Sequence, residues 1–149
     1  KAGKSTSLSE HVDIFPTICA LAGVPVPTQL QGKSLKPVMQ NSKAVVKDFS
    51  MSQYPRKLSK EDMKKFGTES NKMMGYSMRT DKYRYTIWMR NSFRSTMPFN
   101  TVSVIGDELY DYKADPLEKH NVVKDKKYEL TAKRLKAEML RYFESQVKK

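Results

Sequence analysis

The stretch from Lys72 to Arg90 limits the fold more than any other part of the chain. Met74, Tyr76 and Met78 alternate with Gly75, Ser77 and Arg79, and after Asp81 the residues Tyr83, Tyr85, Ile87 and Met89 alternate with Arg84, Thr86 and Trp88. A period of two with β-prone residues on one side describes a strand half buried against a core, and two such runs around one short break predict an antiparallel hairpin. Its apolar side needs a covering layer. The segment from Tyr128 to Val147 supplies one, because Tyr128, Leu130, Leu135, Met139, Leu140, Phe143 and Val147 recur mostly at helical spacing while Lys133, Arg134, Lys136 and Glu138 take the other faces.

Two further strands are predicted. Val45 to Tyr54 is an extended run with Val46, Phe49 and Met51 as its inward members, ended by Pro55, and Asp107 to Lys113 precedes a tight turn at Ala114-Asp115-Pro116-Leu117. A short helix fits Ser59 to Phe66, with Ser59 as cap and Asp62 three residues on. Asn91 to Val104 reads as a loop. Nearer the start, Asp13 caps a predicted helix that carries Pro16 in its first turn and stops at Gly23. Phe15, Ile18, Cys19, Leu21 and Ala22 coat that helix with apolar groups, as in a helix packed inside a larger body. The predicted class is α+β: a four-stranded antiparallel sheet crossed by a C-terminal helix, plus a separate N-terminal helix.

The chemistry is less complete than the fold. The chain has 149 residues, one cysteine and a formal net charge of +12, which favours polyanionic partners and excludes an internal disulfide. No apolar run approaches the roughly 20 residues of a membrane span. Gly32-Lys33-Ser34 is not a phosphate loop, because the first glycine of that motif falls on Pro27. His11 and His120 have no ligand-spaced partners, and Asp107, Glu108, Asp111 and Asp115 read as solvated strand-end and turn residues rather than a catalytic pair. What remains is a cationic and aromatic cluster, Tyr54, Arg56, Lys72, Tyr76 and Arg79. If Arg56 and Lys72 converge with Tyr54 between them, they suit an acidic sugar, with tyrosine against the ring and Arg forking the acid. The plainer alternative makes the tyrosines core and pairs the arginines internally.

Several segments together resemble the type I, formylglycine-dependent sulfatases. HVDIFPTICALAGVPVP resembles the helix that closes their catalytic domain, and GDELYDYKADPLEKHNVV their ELYD…DP…N segment. FSMSQYPR and KMMGYSMRTDKYRYTIW are closer to the iduronate-2-sulfatase branch. The resemblance implies a calcium-dependent hydrolase of sulfate esters, with an alkaline-phosphatase-like core and a smaller C-terminal subdomain of the predicted kind. Residues 1–8, polar and small, read as a disordered lead-in or a cloning remnant; the resemblance divides the rest into the end of the catalytic domain and a linker over 9–42 and the C-terminal subdomain over 43–149. The formylglycine motif and the calcium ligands have no counterpart here; Cys19, followed by Ala20, Leu21 and Ala22, is not the modified cysteine.

The chain therefore reads as a C-terminal piece, inactive alone, whose calcium and nucleophile belong to an N-terminal catalytic domain. Lys72, Arg56 and Tyr54 match positions that the resemblance places at the pocket for a sulfated uronic-acid glycan, with 2-O-sulfated uronic acid as the implied sugar. It also implies a periplasmic or secreted protein, with neither nucleic acid nor membrane as partner. A free-standing basic module that binds nucleic acid or a heparin-like polymer is the alternative, although no base-stacking or groove-reading motif accompanies the charge.

Overall fold

A computed structural model of the chain describes residues 3–67, 72–90, 99 and 103–147. They form two compact units, Lys1–Ser50 and Met51–Lys149.

In the first unit a 3-10 turn, His11–Asp13, leads into α1, Ile14–Ala22, and a short α2 follows at Lys36–Gln40. Gly23 ends α1 at φ 70°, a left-handed value that glycine adopts without a Cβ clash. Asp13 does not cap α1 with its side chain, contrary to expectation. Its carboxylate is fully buried and accepts the N–H groups of Glu10 at 2.7 Å and Lys33 at 2.8 Å, together with the Lys47 ammonium at 2.7 Å. Burial alone would raise this carboxyl, but the bond from Lys47, the two backbone donors and the Lys47 charge outweigh it and hold Asp13 below its ordinary value.

Thr17 extends the same knot, donating to the Asp13 carbonyl at 2.6 Å and accepting the Leu35 N–H at 2.8 Å. Gly32 fits beneath it because a Cβ there would lie 1.9 Å from the Val12 carbonyl oxygen. Gly32-Lys33-Ser34 is thus a structural turn fastened to Asp13. The apolar side of α1 faces outward, with Phe15, Ile18 and Leu21 more than half exposed.

The second unit contains β1, Ser50–Lys57; α3, Lys60–Phe66; β2, Lys72–Arg79; β3, Tyr83–Arg90; β4, Val104–Asp111; and α4, Glu129–Val147. The strands make an antiparallel sheet in chain order, β1-β2-β3-β4. The hairpin is registered from Arg79 opposite Arg84 out to Met73 opposite Arg90. Met78, Tyr85, Ile87, Met89 and Leu109 are fully buried and meet Leu135, Met139 and Phe143, one helical stripe of α4. Each contributes about 1.5–3 kcal/mol of burial. Tyr76 stands edge-on to Phe143, with ring centroids 5.2 Å apart. Leu130, expected on this stripe, is 80% exposed.

β1 and β4 are both shifted from expectation: β1 starts at Ser50 rather than Val45, which leaves Val46 and Phe49 ahead of the strand, and β4 ends at Asp111 rather than Lys113. β1 runs through Pro55 to Lys57, because it is an edge strand on which the missing N–H can face solvent without breaking a ladder. β4 starts three residues earlier than Asp107, across a register shift between Trp88 and Met89. The loop expected over 91–104 lies largely outside the described residues. Ser59 caps α3 as expected, accepting the Asp62 N–H at 3.0 Å.

The acidic residues around β4 sit at the strand and its turn, as expected, and also accept hydrogen bonds that tie the segment together. Asp107 accepts the Tyr85 hydroxyl at 2.8 Å, Asp111 the Tyr128 hydroxyl at 2.9 Å, and Asp115 the His120 N–H at 2.8 Å. Asn121 closes the segment by accepting the N–H groups of Leu109 at 3.0 Å and Val123 at 3.1 Å. Burial, then the Asp107 charge and hydrogen bond, push the Tyr85 phenol well above its ordinary value, so it remains a donor.

Candidate functional site

The sheet has one face under α4 and one that is polar toward the Arg79–Arg84 end and carries Met73 and Trp88 toward the other. On the polar face Thr86 donates to Ser77 at 3.0 Å, and Arg84 reaches Tyr112 and Glu118, each at 2.9 Å. Arg79 lies over the Tyr112 ring at 3.3 Å and donates to the Thr80 carbonyl. Two members of the expected cluster therefore have structural roles: Arg79 in this network and Tyr76 in the core, where it is 4% exposed.

The other three are at the β1–β2 edge. Tyr54 and Arg56 are two residues apart on β1 and so share a face, and Tyr54 is 68% exposed. The Arg56 guanidinium carbon is 5.7 Å from the centroid of the Trp88 ring, within cation–π range. Trp88 pairs with Gly75 across the hairpin, and its ring occupies the space above that residue: a Cβ on Gly75 would lie 2.6 Å from Cζ3 and 2.9 Å from Cη2. Trp88 was missed as a site residue, although the signal was present: counting outward from the Asp81 turn sets a tryptophan opposite a glycine.

Lys72 opens β2 and is exposed. Strand alternation assigns it to the side of Met74 and Tyr76, whereas the Trp88 contact puts Arg56 on the opposite side. Arg56 and Lys72 approach this edge from two faces; they do not form the single-faced cluster with Tyr54 that the sequence suggested. Beside Arg56 a cavity of about 460 Å³ opens, with Met73, Trp88 and Leu58 as apolar lining and Lys65 and Glu108 among its charged groups. Such a pocket can seat a ring on apolar surface while cations at its edge take an acid group. Among the described residues no three His, Cys, Asp or Glu side chains are grouped to hold a metal ion.

The family described as "N-sulphoglucosamine sulphohydrolase, C-terminal" matches residues 1–145. The chain belongs to this sulfatase C-terminal family. Similar proteins include mouse iduronate 2-sulfatase, 32% identical over 85% of this chain and 27% of its own length. Delta 4,5-hexuronate-2-O-sulfatase of Bacteroides thetaiotaomicron is 30% identical over 78% of this chain and 20% of its own length. A solved structure of a protein bound to its substrate D-glucosamine-2-N,6-O-disulfate superposes with a TM-score of 0.67 at 28% identity, covering 99% of this chain and 26% of the other. A 2-O glycosaminoglycan sulfatase structure superposes with a TM-score of 0.62 at 27% identity, over 90% of this chain and 24% of that one. The sulfatase domain thus spans about a quarter or less of the proteins it resembles.

Proposed function

We propose that this domain grips the substrate of a sulfatase acting on sulfated uronic-acid glycans, while the sulfate-ester chemistry resides elsewhere in the protein. The observation that carries the reading is the β1–β2 edge, where Arg56 lines a partly apolar cavity, exposed Tyr54 stands two residues before it on the same strand and Lys72 opens the neighbouring strand. Arg56 offers a planar fork for a carboxylate or sulfate, Lys72 a point charge, and Tyr54 a face for a sugar ring. The sequence similarity to an iduronate 2-sulfatase and a hexuronate-2-O-sulfatase supports a 2-O-sulfated uronate as the sugar.

Calcium and formylglycine belong, on this reading, to the catalytic region, and the compartment is periplasmic or secreted. The isolated 149-residue chain should release no sulfate from a 2-O-sulfated uronate disaccharide, with or without calcium. The full-length sulfatase should release it, and faster than from a 6-O-sulfated glucosamine. Turnover by the isolated chain, or the reverse preference, would refute the assignment.

A further inference from the structure

We propose that Trp88 is a positioning residue for the substrate, acting through Arg56. The inference rests on the proposed role of Arg56 and deepens it.

Three strands contribute one layer each to a stack. β2 supplies Gly75, β3 supplies Trp88 directly opposite it, and β1 supplies Arg56 over the indole ring. The absence of a Cβ at Gly75 is what lets the ring occupy the space over β2, since any other residue would put an atom 2.6 Å from it. The indole Nε1 is buried and has no hydrogen-bond partner among the described residues. Packing against Gly75 on one side and Arg56 on the other holds the ring where it lies.

For Arg56 the consequence is conformational. Every residue of β1 from Ser52 to Lys57 is exposed, so little else on its own strand restrains a long side chain. An Arg free to explore its rotamers loses that freedom on binding an acid group, and the loss weakens affinity. Stacked on an indole, the guanidinium keeps its edge donors free for a planar acid while its face is held. Trp88 therefore lowers KM without touching the reacting atoms. Lysine at position 56 keeps the charge but lacks the planar face, so it should lose most of the benefit.

A double-mutant cycle in the full-length sulfatase, using a 2-O-sulfated uronate disaccharide, tests this. Arg56→Ala should raise KM about tenfold or more; Trp88→Leu should raise it severalfold with kcat within twofold, and Trp88→Phe should restore most of the loss. In the Arg56→Ala background, Trp88→Leu should add no further increase. If Trp88→Leu multiplies KM equally in both backgrounds, or leaves it unchanged beside wild-type Arg56, the positioning role is wrong while the Arg56 reading stands. If Arg56→Ala itself leaves KM unchanged, the underlying reading fails instead. Trp88→Phe keeps an aromatic face in the same place, so the proposal stays testable even if Trp88→Leu does not fold.

Discussion

Gly75→Ala offers a sharp test because two physical effects give it opposite signs. At a strand position with open space, replacing Gly by Ala stabilises by about 0.4–1 kcal/mol, since the unfolded chain has fewer conformations to lose. Here the added methyl would lie 2.6 Å from Trp88 Cζ3, 2.9 Å from Cη2 and 3.0 Å from Cε3, all inside van der Waals contact. The ring must lift or β2 must bend away from it. Overpacking of this kind costs about 1–3 kcal/mol, which exceeds the entropic gain. The net expectation is destabilisation, and for a chain near this size each kcal/mol lowers the melting midpoint by about 2–4 °C. Trp88 is the only tryptophan, so its fluorescence reports the displacement directly. Thermal denaturation should show the lower midpoint, and native emission should shift with greater acrylamide quenching. A variant as stable as the parent or more so, with unchanged emission, would refute the close stacking of Trp88 on Gly75.

Other expectations concern stability. Lys47→Met removes a partner of fully buried Asp13; leaving that carboxylate with backbone donors alone should destabilise the Lys1–Ser50 unit by about 3 kcal/mol, read from chemical denaturation. The same pair sets a pH window. Asp13 has a lowered folded value, so its contribution is present above the ordinary 3.8 and is lost as pH falls through that lower value. For Lys47, burial lowers the value but the bonds and charges of Asp13 and Glu10 prevail and raise it; its contribution is full below 10.5 and is lost as pH rises through the raised value. Urea midpoints measured across pH should decline at both ends, and Lys47→Met should flatten both limbs. Phe143→Ala removes a fully buried ring that packs on Tyr76 and should cost about 3–5 kcal/mol by the same assay.

The parts legible in the sequence were those governed by local periodicity. The alternation around Asp81 yielded the hairpin and its buried face, because a one-residue slip would expose Tyr85 and Ile87. The last helix followed from Leu135, Met139 and Phe143, spaced four apart. Long-range geometry was not legible. Asp13 resembled a cap because it precedes a helix, yet Lys33 and Lys47, which occupy its carboxylate, lie 20 and 34 positions away. Pro55 looked like a strand end because sequence does not reveal which strand will be an edge. Among the expected contact residues, alternation within β2 separates Lys72 from the face of Arg56, a distinction hidden until Trp88 fixed which face Arg56 occupies.

The most direct test of the proposed substrate gripping by this domain is steady-state kinetics of the full-length protein on a 2-O-sulfated uronate disaccharide, comparing the parent with Arg56→Ala and Lys72→Ala. Loss of a charge-assisted hydrogen bond corresponds to about 1.5–3 kcal/mol, so each variant should raise KM by about tenfold or more while kcat stays within about twofold. Unchanged KM in both variants, or a loss confined to kcat, would contradict a binding role for this edge of the sheet.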